Sequence, residues 1–135
     1  MKLVLPLHVT LERKTKSDKK ISINKNIERN THYTVLNAVK QQFTDDLKDQ
    51  CSKLDPIQLP KIFVFTFYGK GYKKADNATK VMDLDNFSIV IKFTLDALVK
   101  HNLIPEDNVH YIQSIRMEWG GFDYENPRAE LTLLD

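Results

Sequence analysis

"KIFVFTFYG", Lys61 to Gly69, is the stretch on which the fold turns. Its aromatic and β-branched residues favour a pleated backbone. Its nearly continuous apolarity, in place of strict alternation, predicts a strand central in a sheet. A Gly- and Lys-rich loop follows it. Beyond the loop, "DNFSIVIKFTLDALVK" (residues 85–100) repeats apolar residues every three or four positions, so the strand leads into a helix. That helix is expected to end near His101, with Asn102 suited to the left-handed conformation just past a helix end. "HYIQSIRMEWG" (His110–Gly120) and "RAELTLL" (Arg128–Leu134) read as two more strands, joined by a turn region holding Gly-Gly and Asn-Pro.

On the N-terminal side, "KLVLPL" reads as a short strand with Pro6 near its end. "KKISINKN" alternates Ile21 and Ile23 with polar residues and suits a second short strand or an extended arm. From Asn30 to about Gln50 the pattern is helical: Tyr33, Leu36, Val39, Phe43 and Leu47 recur at helical spacing, with Asn30 or Thr31 as N-cap. Two prolines then break the helix in "SKLDPIQLP". The expected fold is α/β (α+β), a small mixed β-sheet with two main helices packed on it, in a single domain over residues 1–135.

The length of 135 residues suits one domain with a real core, and 41% hydrophobic with 28% charged residues is ordinary for a globular protein. No apolar run is long enough to span a membrane. The start, "MKLVLPLHV", is broken by Pro6 and lacks the features of a signal peptide, so cytoplasmic residence is expected. Cys51 is alone, which leaves no internal disulfide or multi-cysteine zinc site. The net charge is only +2 but unevenly spread. One basic stretch holds Arg13, Lys14, Lys16, Lys19, Lys20, Lys25 and Arg29. A second holds Lys70, Lys73, Lys74 and Lys80. Such patches can neutralise phosphates, and they also suit solvated loops.

The carboxylates around the second helix carry the chemistry. With Asp85 at the origin and 100° per residue, Phe87, Val90, Ile91, Thr94, Leu95 and Leu98 form the expected buried face. Asp85, Lys92 and Asp96 form a polar stripe that Ile89 interrupts. In an extended segment residues two apart share a side, so Asp83 and Asp85 can converge on one point where the chain enters the helix. Converging carboxylates repel one another unless a cation joins them, and an oxygen-only donor set suits Mg²⁺ or Mn²⁺. A simple helix N-cap at Asp85 accounts for one of the two aspartates equally well. Asp96 reads as a surface residue.

These residues resemble the core motif of the RusA family of Holliday-junction resolvases, small phage and prophage endonucleases. The motif stands here as Asp83-Leu84-Asp85-Asn86, Lys92, Asp96-Ala97-Leu98 and Glu106-Asp107, and the resemblance covers roughly Lys61 to Leu134. Lys92 follows Asn86 by six residues where the family pattern has three, while its spacing to Asp96 is kept. Asn102 stands where the family often has glycine, and Glu106 where it often has aspartate. The resemblance implies catalytic and metal-binding roles for Asp83, Asp85 and Asp107, a catalytic role for Lys92, and Mg²⁺ (or Mn²⁺) as cofactor. It implies four-way branched DNA as substrate, nicks with 5′-phosphate and 3′-hydroxyl ends, and a homodimer in which a partner subunit completes the site. Lys14, Lys16, Lys19, Lys20, Lys25, Lys70, Lys73, Lys74 and Lys80 would bind the DNA backbone. It further implies a phage or prophage origin and a bacterial host cell, with no membrane and no small-molecule cofactor involved. The competing readings are a catalytically inactive branched-DNA-binding protein on the same fold and a phage accessory protein that binds another protein.

Overall fold

The computed structural model describes residues 2–24, 27, 31–58, 60–70 and 84–135. In chain order the elements are β1 (Lys2–Leu5), β2 (His8–Leu11), β3 (Lys19–Ser22), α1 (Tyr33–Asp46), α2 (Lys48–Ser52), β4 (Lys61–Gly69), a 3₁₀ turn (Leu84–Phe87), α3 (Ser88–Lys100), β5 (Ile112–Phe122) and β6 (Arg128–Leu134). Four strands form a mixed sheet in the order β1-β6-β4-β5, while β2 and β3 form a separate antiparallel hairpin. β4 is central, parallel to β5 and antiparallel to β6, and β1 is antiparallel to β6. This is the expected α+β class with a small mixed sheet. Among the described residues no helix is long and apolar enough to cross a membrane.

The two faces of β4 differ. Phe63, Phe65 and Phe67 are fully buried, and the register sets Leu131 and Ala129 beside Phe65 and Phe67, with Leu3 and Leu5 on the strand beyond. These side chains form one core with α3. The opposite face carries Val64, Thr66 and Tyr68, and there the Arg128 guanidinium lies 4.2 Å from the centre of the Tyr68 ring. Arg128 also meets Asp123 at 2.8 Å and Glu130 at 3.1 Å, and Lys2 meets Glu130 at 3.0 Å. Burial acts to raise the Glu130 carboxyl. Hydrogen bonds and charge from Lys2 and Arg128 outweigh it and hold the group below the usual glutamate range.

Parallel strands cannot be joined by a hairpin, so the chain between β4 and β5 must cross over, and α3 makes that crossing. α3 is buried at Ile89, Val90, Ile91, Phe93, Thr94, Leu95, Ala97 and Leu98. It lies between the sheet and α1: Phe87, just before it, stacks on Phe67 at 5.0 Å, and Phe93 meets Phe43 edge-on at 5.8 Å. Ile89 is therefore core, not a break in a polar stripe. The buried face is wider than the wheel drawn from Asp85 allowed: Ile89, Phe93 and Ala97, four residues apart, are buried as well, because α3 is covered by α1 as well as by the sheet. The helix ends as expected. Asn102 has φ 62°, its N–H donates to the Val99 carbonyl at 3.1 Å, and the Leu103 N–H donates to the Leu98 carbonyl at 2.9 Å. That is the paired-bond left-handed cap, with Leu103 buried to complete it.

α1 is shorter than the 30–50 pattern predicted. Its N-cap is His32, whose Nδ1 accepts the Thr34 N–H at 3.3 Å, not Asn30 or Thr31. Val39, Phe43 and Leu47 are buried as expected, but Tyr33, at the first position of the helix, is 68% exposed and lies against the His32 ring. The chain resumes helix at Lys48 as α2, where Cys51 is buried and burial pushes its thiol up, away from the reactive thiolate. Next to it, the Gln50 side chain accepts the Val4 N–H and donates to the Val4 carbonyl, both at 2.8 Å. A side-chain amide thus takes the place of a strand along the outer edge of β1.

The Gly-Gly pair lies inside β5 and not in the turn that follows. The register pairs Phe67 with Trp119 and Tyr68 with Gly121, so Gly120 is an extra residue, a β-bulge. A Cβ on Gly120 would come within 2.6 Å of the Tyr68 ring and 2.8 Å of Thr66 Cγ2. Gly120→Ala should therefore cost about 1–3 kcal/mol through overpacking, read as a lower urea midpoint with unchanged slope. A second outcome concerns pH. A carboxyl lowered in the folded state contributes stability above its unfolded pKa and loses it as pH falls through the folded value. Glu130→Gln should thus be less stable than the native chain at pH 7, and the difference should shrink below about pH 4. A pH-independent difference in thermal midpoint would remove Glu130 as an ionised anchor.

Candidate active site at the end of the parallel strands

Because β4 and β5 run the same way, the chain enters α3 beside the carboxyl ends of both strands and leaves it beside their amino ends. Asp85 sits in the 84–87 turn at the entrance, with Asn86 next to it. That turn packs against β5, and Phe87 on Phe67 ties it to β4. Open α/β sheets bind their ligands beyond the carboxyl ends of parallel strands, where the connecting turns leave a crevice. Lys70, the residue after β4, reaches the same end and lies 5.2 Å from the centre of the Tyr124 ring. Asp83, the other half of the D-x-D pair, lies outside the described residues.

Lys92 is exposed on α3, one to two turns into the helix from Asp85. Asp96, a turn further on, is engaged by Lys40 of α1 at 2.7 Å. With both partners partly open to solvent this is a surface ion pair of modest strength. At the far end of α3, His101 Nε2–H donates to the Thr44 carbonyl at 2.8 Å and fastens the helix end to α1.

Asp107 is at this far end. The 101–111 loop is held against the start of the sheet, where the Ile57 N–H donates to the Leu103 carbonyl at 2.8 Å and the Lys61 N–H to the Tyr111 carbonyl at 3.1 Å. Asp107 and Glu106 line an open cavity of about 650 Å³ with Lys40, Asp96, Lys100 and Asn108. α3 has 13 residues, hence a length of about 20 Å. It stands between Asp85 and Asp107 within one chain. The structure therefore places Asp85 at the carboxyl ends of the parallel strands and sets Asp107 apart from it. Among the described residues no group of three or more His, Cys, Asp or Glu side chains is placed to hold a metal ion. Asp85 fits a hard divalent cation by donor type.

The first basic stretch maps to the β2–β3 hairpin. Lys14 and Lys16 are exposed in its loop and Lys19 and Lys20 on β3, with the loop drawn in by the Arg13 Nε–H donating to the Ser17 carbonyl at 2.8 Å. His8 at the start of β2 faces Lys20 and Asp46; burial first, and then the Lys20 charge, lower its pKa. Lys25, Lys73, Lys74 and Lys80 lie outside the described residues.

Sequence reasoning did not bring Lys40 and Lys100 together with Glu106 and Asp107 around one cavity, since its walls come from segments far apart in the chain. It also passed over Arg116 and Glu118, exposed on β5. The signal for them was present: opposite charges flanking Met117 in an alternating strand. No protein-family model matches the chain, and no curated protein matches it either.

Proposed function

We propose that the chain is a Mg²⁺-dependent, structure-selective endodeoxyribonuclease of RusA type that resolves four-way DNA junctions as a homodimer. The observation that supports this reading is the position of Asp85, on the D-x-D-N motif, in the turn beyond the carboxyl ends of β4 and β5. Asp83 and Asp85 would hold the cation, with Asp107 of a second subunit as a further ligand. When bound, the cation supplies Lewis acidity and a water nucleophile at neutral pH.

The chain's own residues do the rest. Lys92 meets charge developing on the scissile phosphate. Lys14, Lys16, Lys19 and Lys20 on the β2–β3 hairpin, with Lys25, and Lys70, Lys73, Lys74 and Lys80 after β4, hold the sugar–phosphate backbone through charge. That attraction carries no base information, so selection for a junction rests on the shape of the DNA. Two sites related by a two-fold axis suit a substrate that must be nicked in two opposing strands. Cell interior, phage or prophage origin and a bacterial host follow from the same reading.

Asp85→Asn and Asp83→Asn should each lower Mg²⁺-dependent nicking of a labelled four-way junction by at least about 10²-fold, the scale on which one lost electrostatic stabiliser is felt. Junction binding should be retained or tightened, because a negative charge facing phosphate is gone. Wild-type rates in either variant would remove the D-x-D pair from the mechanism. Junction retention with no Mg²⁺-dependent cut by the native chain would mark an inactive branched-DNA binder. No retention even at low salt would mark a protein-binding accessory domain.

The lysines should behave as charges. Replacing Lys19 and Lys20 by Ala should weaken junction binding at low salt and reduce the slope of log K against log[salt] by about 2. An unchanged slope would return the hairpin to ordinary solvated surface.

A further inference from the structure

β5 closes the strand order, and among the described residues no strand pairs with its outer edge. It is 11 residues long, and an edge of that length is a template for pairing with another chain. The other outer strand, β1, has four residues and its edge is occupied by Gln50. Among the described residues β5 has no such cover, and it exposes large apolar side chains: Ile115 at 44%, Trp119 at 41% and Phe122 at 46%. Parallel pairing with Phe63, Phe65 and Phe67 puts Ile115, Met117 and Trp119 together on the helix side of the sheet. Arg116 and Glu118, both exposed, pair with Val64 and Thr66 and so share the opposite side.

We propose that this edge is a seam between two copies of the chain, joined antiparallel about a two-fold axis at Met117. Alternate residues of a strand turn their N–H and C=O groups to the same edge. A strand paired symmetrically with itself must therefore centre on a residue, not between two. Centred on Arg116 or on Glu118, the seam sets like charges face to face. Centred on Met117, it sets Arg116 opposite the partner's Glu118 and Glu118 opposite the partner's Arg116. On the other side it sets Ile115 opposite the partner's Trp119, again twice, with the two Met117 side chains meeting on the axis. Directly opposed pairs of this kind are the unit of sheet stabilisation. The sequence "IRMEW" is thus complementary to its own reverse on both faces of the sheet.

The seam also accounts for Asp107. Antiparallel pairing brings the start of the partner's β5, with the loop that carries the partner's Asp107, beside the end of this protomer's β5. That is the end of the sheet where Asp85 stands. This last step rests on the nuclease reading; the seam itself does not.

Two measurements test the seam. In Met117→Cys the two thiols face each other across the axis, at the 4.5–5.5 Å Cα separation, roughly, of antiparallel neighbours, which suits a disulfide. Oxidation with diamide should convert most of this variant to a covalent dimer. Arg116→Cys, whose copies lie diagonally, should not cross-link. In sedimentation equilibrium, Arg116→Glu and Glu118→Arg should each raise the dimer dissociation constant about tenfold or more, and the double variant R116E/E118R should restore it. Rescue by the double variant separates loss of the seam from loss of folding. A native chain that stays monomeric at micromolar concentration with and without four-way DNA overturns the seam. So does a dimer in which Met117→Cys fails to cross-link or both charge reversals leave the constant unchanged. Nicking is scored separately: a cross-linked seam without cleavage overturns the nuclease reading alone, and cleavage without the seam overturns the seam alone.

Discussion

The parallel pairing of β4 with β5 is the constraint from which the rest of the molecule follows. It demands a crossover, and the crossover is α3. It sets the two ends of α3 at opposite ends of the sheet, so the acidic residues on either side of the helix cannot share one point within a chain. It also leaves β5 outermost, because β6 takes the other side of β4 and β1 follows β6. Reverse β5 and the crossover is no longer needed: Asp85 loses its position beyond two carboxyl ends, and the loop with Asp107 moves to the other end.

α3 is held in this place from two sides. The sheet contributes Phe63, Phe65 and Phe67, and α1 contributes Val39 and Phe43. A helix buried on two sides has little surface left for polar chemistry, which is why its polar residues are confined to positions such as Lys92 and Asp96 and to its ends. Asp96 meets Lys40 and His101 meets the Thr44 carbonyl, both toward the exit end. The entrance is fixed by apolar contact, Phe87 on Phe67. Rigid apolar support beneath a short turn is a sound base for a charged group that must keep its place.

The open face of the sheet and the outer edge of β5 behave differently. The open face is managed within the chain: Lys2, Glu130, Arg128 and Asp123 form a linked network with Tyr68 beneath the guanidinium. Charge there is balanced by direct ion pairs, Lys2 and Arg128 against Glu130 and Asp123. On β5, Arg116 and Glu118 share one face of the strand, and the proposed seam would set each directly opposite its oppositely charged counterpart in the partner. In that proposal the two charges also select one register of association.

Much of the local structure was legible in the sequence. Apolar run length marked β4, three-to-four spacing marked α3, and Asn102 marked its left-handed end, because strand burial, helix period and positive φ are each set by a few neighbouring residues. Where reading went astray, a distant partner decided. Gly120 and Gly121 looked like a turn, but pairing with β4 made them a bulge within a strand. Ile89 looked out of place because the helix was read as having one buried side, whereas α1 covers it as well as the sheet. Tyr33 matched the apolar spacing, but the core stops short of the first position of α1. The sequence by itself determined which carboxylates exist and that Asp83, Asp85 and Asp107 flank one helix. The tertiary structure decided that Asp85 and Asp107 stand about 20 Å of helix apart, because strand direction, unlike helix period, is settled by pairing between segments far apart in the chain.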